Sequence, residues 1–350
     1  MVIRLSTGLK SIDAGRNPSL LQLNCRGCDD AKLYPPAALD KLSVKGCRNL
    51  EFLDASWNNI KSIDLSGNKK LVSLNLKKCK FKKIDISNNK KLRSLDISGN
   101  KKLKGIDIKC CPALGNLYLS GMNFTEIDVS KNTELKFFKF NRAKFTSIDL
   151  SKDKKLEYVS CRNGRLKDNG LVIGKNSNIS IISCSGNKLT KIDTGKCINL
   201  KNLDCHNNNI RNLDFSGNRK LKDLFCSGNS LEKLKLDNLK NLTILWCNNC
   251  NLRSLDLKGL KKLEYFHCDN NKLKKLDISG LKNLGYLHCR NNMLKRLDIT
   301  KNRRLYELHC ENNKIKKLDI RNCVIRLSYG DEFFTYDDSV VLVRKHKNKK

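Results

Sequence analysis

The sequence predicts a mainly β repeat solenoid of about 14 turns, and three observations predict it. A period of 21 residues runs through nearly the whole chain. Apolar and polar residues alternate inside each period, and asparagine returns at a fixed place within it. The turns begin at Leu20, Leu50, Leu71, Leu92, Leu114, Leu135, Leu156, Ile179, Leu200, Leu221, Leu242, Leu263, Leu284 and Leu305.

The best-kept copy starts at Leu284 and runs through Tyr286, Leu287, His288, Cys289 and Asn292. Its L-x-x-L-x-(L/C)-x-x-N pattern is that of a leucine-rich repeat. In a strand, Leu287 and Cys289 share one face while Tyr286, His288 and Arg290 share the other. The first face enters the core and the second lines a concave parallel sheet, giving a horseshoe. One such turn cannot bury its own apolar face, so stability must come from stacking on its neighbours about 4.8 Å away.

The second half of each turn reads Ile63-Asp64-Leu65-Ser66, Ile84-Asp85-Ile86-Ser87, Leu213-Asp214-Phe215-Ser216 or Leu276-Asp277-Ile278-Ser279. Its alternation predicts an extended convex side, and Gly67-Asn68, Gly99-Asn100 and Gly217-Asn218 mark turns. The outward Asp residues of this half are expected to pair with neighbouring lysines rather than hold calcium. Asn208, Asn229, Asn271, Asn292 and Asn313 predict a ladder of amides that satisfies buried backbone groups between turns.

The solenoid is assigned to residues 1–320, with a loop insertion near 29–38 where the interval from Leu20 to Leu50 lengthens to 30 residues. That loop, with Leu33-Tyr34-Pro35-Pro36, is expected on the convex side, where it leaves the sheet register intact. Residues 321–343 are expected to form a C-terminal β-hairpin cap from Val324–Leu327 and Val340–Val343 around Gly330-Asp331-Glu332. Residues 344–350 form a basic tail.

Of 17 cysteines, Cys25, Cys161, Cys184, Cys205, Cys226, Cys247, Cys268, Cys289 and Cys310 share one inward strand position. Cys28, Cys47, Cys79, Cys111, Cys197, Cys250 and Cys323 fall at the two positions of the repeat where asparagine recurs. Neighbouring Cβ atoms in such a ladder stand about 4.8 Å apart, whereas a disulfide prefers about 3.8 Å. The thiols are therefore expected to be small buried hydrophobes, and no metal or other cofactor is expected.

Composition narrows the function classes. Lys and Arg number 70 against 35 Asp and Glu, a formal charge of +35 that attracts anions over long range. No stretch approaches the roughly 18 apolar residues of a membrane-spanning helix. Met1–Ser6 does not read as a secretory signal, and the pattern is already present at Leu9-Lys10-Ser11-Ile12-Asp13, as in a segment of a longer chain. No Ser-His-Asp grouping, phosphate loop or carboxylate pair stands outside the repeat register, so no enzyme is expected.

The concave positions carry the candidate site. Phe225, Trp246, Tyr265, His267, Tyr286, His288 and His309 fall there on consecutive turns, and exposed rigid aromatics mark binding surfaces. A sparser second group is Phe52, Tyr118, Phe137, Lys139 and Tyr158. His267, His288 and His309 form a register-matched column in which stacked rings point the same way rather than converge on a metal. They are a candidate pH-sensitive rim instead. Basic pairs such as Lys69-Lys70, Lys261-Lys262 and Arg303-Arg304 lie on the turns before the strands.

The unit Leu-x-x-Leu-x-Cys-x-x-Asn-x-Leu-x-x-Leu-Asp-(Ile/Val)-Ser-x-Asn resembles the cysteine-ladder repeat of internalin-like bacterial proteins, and Ile127-Asp128-Val129-Ser130-Lys131-Asn132 is an especially near match. The resemblance spans about Leu9 to Ile320. It implies a secreted or cell-surface protein used for adhesion. The expected function is a monomeric, non-enzymatic scaffold that binds a protein or glycan ligand on the concave face. The alternative is a cytoplasmic basic scaffold that binds nucleic acid or another anionic polymer.

Overall fold

A computed structural model describes residues 2–4, 9–27, 38–325 and 333–344. The chain forms two compact units, Met1–Ile179 and Ser180–Lys350. Both are β-solenoids, and no helix occurs among the described residues.

In the first unit the strands Val2–Arg4, Gln22–Asn24, Phe52–Asp54, Ser73–Asn75, Ser94–Asp96, Asn116–Tyr118, Phe137–Lys139 and Tyr158–Ser160 pair in chain order, each parallel to the next. Their central residues, from Leu23, Leu53 and Leu74 to Phe138 and Val159, stand opposite one another and are buried. From Gln22–Asn24 onward the flanking residues of each strand face outward, as a two-residue period requires. Gln22 pairs with Phe52 across the 30-residue interval, so the insertion leaves the sheet register untouched. The expected loop at Leu33–Pro36 and Cys28 lie outside the described residues.

The second unit repeats the arrangement with Ile181–Ser183, Asn202–Asp204, Asp223–Phe225, Ile244–Trp246, Tyr265–His267, Tyr286–His288 and Glu307–His309. Its C-terminal segment departs from the expected hairpin. Phe334–Thr335 adds in parallel to Glu307–His309, and Val341–Val343 adds in parallel to Lys317–Asp319. Residues 333–344 thus lay one further coil on the stack, with Phe334 buried in register with Leu308. An open apolar coil end offers its buried surface to a parallel neighbour, and alternation in Val340–Val343 serves either strand direction equally. Arg326, Leu327, Gly330-Asp331-Glu332 and residues 345–350 lie outside the described residues.

The half of each turn behind the sheet is mostly turns, with short parallel pairs such as Ser11–Asp13 with Lys41–Ser43 and Ile148–Asp149 with Leu171–Val172. Each Asp of its signature closes a local turn. The Oδ1 of Asp64, Asp85, Asp214, Asp277 and Asp298 accepts the backbone N–H two residues on, at 2.9–3.0 Å. Lysine pairing, expected as the general role, joins that bond at Asp64 and Asp128, where Lys45 and Lys109 stand 3.1 Å away. A short carboxylate reaches its own chain at little entropic cost, which is why Asp recurs at the turn.

Between the two halves runs the core, with Cys161, Cys184, Cys205, Cys226, Cys247, Cys268, Cys289 and Cys310 at most 1% exposed. All described cysteines are free thiols. Burial pushes the thiols of Cys25 and Cys310 up to about 12, so they are protonated and inert as nucleophiles. Asn229 shows how the amide ladder works: its Nδ2 donates to Cys205 O and Cys226 O, and its Oδ1 accepts from Ile210 N. Where cysteine replaces asparagine the thiol takes over one bond, Cys79 Sγ donating to Ala55 O at 3.2 Å and Cys250 Sγ to Cys226 O at 3.3 Å. A second ladder behind the sheet contains Asn68, Asn89, Asn132, Asn218 and Asn302, each donating to carbonyls 24 and 21 residues back.

Candidate functional site

Outward positions of successive strands fall into columns, and register decides which side chains meet. In the second unit one column runs Phe225, Trp246, His267, His288, His309 and Thr335, and a second runs Tyr265, Tyr286 and Glu307. Phe225 meets Trp246 edge-on at 4.9 Å, and Trp246 stacks flat on His267 at 5.0 Å. His267 stacks on His288 at 3.9 Å, while Tyr265 stacks on Tyr286 at 4.5 Å. The structure therefore brings all seven residues of the first candidate group onto one face, as adjacent rings.

They are not equally accessible. Trp246 is 40% exposed and Tyr265 37%, whereas His309 is 4% exposed and lies beneath the terminal coil. Burial pushes the imidazoles of His267 and His288 down to about 4. Neutral rings at physiological pH do not make the pH-sensitive rim that their residue type suggested.

The histidine column also departs from uniform stacking. His288 and His309 meet at 87°, with centroids 4.4 Å apart. Both direct Nε2 at Oε1 of Glu307, at 2.6 and 3.2 Å. Glu307 occupies the tyrosine column, where its alignment with Tyr286 was readable, but its swing toward the histidines is a matter of side-chain rotation. Beside them Arg290 Nε lies 2.5 Å from Glu311 Oε1, and burial raises Asp269 to about 6.

In the first unit Phe137 and Tyr158 pair at 6.3 Å, and Lys139 lies outward on the same strand as Phe137. Tyr118 is the cross-strand neighbour of Lys139, whereas Phe52 stands apart; Tyr118 and Phe52 both border a shallow hollow of about 350 Å³ lined by Ser73, Asn75, Ser94 and Asp96. The second candidate group is thus a cluster of Tyr118, Phe137, Lys139 and Tyr158 on adjacent strands, with Phe52 across a polar hollow from Tyr118. The signal for the hollow was the run of small residues at Ser73 and Ser94, in register with the large Phe52.

The basic pairs are tied to the stack. Lys70, Lys220, Lys262 and Arg304 each donate to an asparagine one turn back, Asn49, Asn199, Asn241 and Asn283, at 2.6–2.9 Å. No helix among the described residues is long and apolar enough to cross a membrane.

A leucine-rich-repeat family model matches residues 88–110. The functional domain of InlJ from Listeria monocytogenes, described as including a cysteine ladder, is 31% identical, with 77% of this chain and 55% of that one aligned at a TM-score of 0.60. The chain thus spans about half the length of that relative. A leucine-rich-repeat protein of Leptospira interrogans is 21% identical over 93% of this chain and 91% of its own, with a TM-score of 0.74. Internalin InlF from Listeria monocytogenes is 22% identical over 84% and 82%, with a TM-score of 0.63. No curated protein sequence matches the chain. The repeat, the buried thiol column and these likenesses agree that the chain is a leucine-rich-repeat solenoid that resembles the cysteine-ladder domain of internalin InlJ.

Proposed function

We propose that the chain is a non-catalytic recognition module that binds a protein or glycan ligand on the outward aromatic face of its second unit, as a secreted or surface protein. The observation that carries this reading is the pair of exposed rings, Trp246 and Tyr265, held at the front of two stacked columns. Large rings exposed to water are costly in solubility, and rings immobilised by stacking bind with little further loss of entropy. Flat ring faces suit sugar rings and apolar protein side chains alike. The adhesive, extracellular part of the reading rests on the likeness to internalins.

The test is retention on a glycan array and on immobilised extracellular-matrix proteins at about 50 and 200 mM salt, with a Trp246→Ala/Tyr265→Ala variant beside the wild type. A wild-type signal that survives the higher salt and falls at least about thirtyfold in the variant supports the reading, since two hot-spot rings contribute about 2 kcal/mol or more. A signal that collapses with salt and ignores both rings refutes it. That outcome favours the second reading, an anionic-polymer scaffold, which the charge of +35 supports.

A further inference from the structure

We propose that His288, Glu307 and His309 form a binding site for a divalent transition-metal ion of zinc-like ligand preference. Their ligand atoms all lie within 4.8 Å of one another. The parallel register sets the site. His288 and His309 are cross-strand neighbours, and Glu307 sits two residues before His309 on the same outward face. Two imidazole nitrogens and one carboxylate oxygen are a common zinc set, with the fourth position left for water or a ligand group. Tetrahedral bonds of about 2.0 Å hold ligand atoms about 3.3 Å apart; His309 Nε2 stands 3.2 Å from Glu307 Oε1, and His288 Nε2, which meets the same oxygen at hydrogen-bond distance, 2.6 Å, moves outward by about 0.7 Å to admit the ion.

The hydrogen bonds behind the ligands argue for a cation more strongly than the distances do. Thr335 Oγ1 contacts both Glu311 Oε2 and, at 2.7 Å, His309 Nδ1. A carboxylate can only accept, so the threonine hydroxyl donates to Glu311 and accepts from Nδ1–H of His309. A neutral His309 in that tautomer turns the lone pair of Nε2 toward Oε1 of Glu307. Two acceptors then face each other 3.2 Å apart, on a histidine that is 4% exposed. A metal ion between them converts that repulsion into two bonds. The alternative, a second proton on His309, sets an imidazolium against Glu307, with the Arg290–Glu311 pair beside it, and a metal ion takes the place of that proton. The Glu311–Thr335–His309 relay is the kind of outer support that orients a metal-binding imidazole.

The proposal stands apart from ligand binding at Trp246 and Tyr265, so the two can fail separately. The full reduced chain, stripped of metal, is titrated with Co²⁺ and followed by absorption, alone and in competition with Zn²⁺. One equivalent should bind with ligand-field bands of nitrogen and oxygen ligation and be displaced by Zn²⁺. His288→Ala and Glu307→Gln should weaken binding at least about tenfold while the metal-free variants keep the wild-type circular dichroism. Trp246→Ala should bind metal as the wild type does. Absence of binding up to about 1 mM, a spectrum dominated by thiolate charge transfer, or undiminished binding by both variants would each overturn the assignment.

Discussion

Asp153 occupies the place in the rear ladder that Asn132 holds one turn earlier. Asn132 donates to Ile108 O and Cys111 O; Asp153 is 1% exposed, and neither carboxylate oxygen has a hydrogen-bond partner. Burial pushes its pKa up to about 7 from 3.8. Below pH 4 both folded and unfolded chains hold the proton, and the site contributes no penalty. Between about 4 and 7 the unfolded chain releases it while the folded chain keeps it, so this group lowers stability as pH rises and levels off above 7. Asp153→Asn restores a donor without a charge. It should raise stability by about 2–4 kcal/mol at pH 8 and by little at pH 4, read from urea unfolding at both values. An equal gain at the two values would separate the effect from ionisation. Nothing in the repeat pattern flags Asp153, because Asp and Asn have nearly the same shape and differ only in what they donate.

At the scale of the single turn, the sequence made the strand, the thiol column and the front amide ladder legible, since each is a matter of which residue recurs at which interval. The division of labour inside Asn-Asn was not. Asn207, Asn270, Asn291 and Asn312 adopt φ of 52–59°, the left-handed conformation Asn tolerates, and the following asparagine supplies the ladder amide. Gly228, with φ of 66°, takes the first role before Asn229. The hairpin expected at the C-terminus failed for a related reason: alternation reports which residues are buried and carries nothing about strand direction. Asn229 tests the ladder. Asn229→Ala strands Ile210 N–H and the carbonyls of Cys205 and Cys226, and should cost about 3 kcal/mol. Asn229→Cys should cost less, because Cys250 keeps a donor at the same place one turn on. Equal losses in thermal unfolding would show that the thiol hydrogen bond contributes nothing to the ladder.

For the whole molecule, periodicity explains the core and leaves the surface open, because stacking constrains inward positions and any soluble residue serves outside. Aromatics in register could be read as columns; the meeting of Glu307 with two histidines depends on rotamers that no interval encodes. The same freedom permits a charge of +35, and charge of that size acts on stability as a sum. Two opposing effects of salt can be weighed. Ion pairs such as Lys45–Asp64 and Lys109–Asp128 are half exposed or more on both sides, so each contributes little and salt weakens it slightly. Repulsion among 70 basic side chains extends over roughly 30 Å at 0.01 M salt and about 8 Å at 0.15 M, so salt removes much more of it. The melting temperature should therefore rise by about 2 °C or more between 10 and 150 mM sodium chloride, measured by calorimetry at pH 7. A fall would mean that surface pairs outweigh repulsion. An unchanged value would mean that the lysines are spaced widely enough for water alone to screen them.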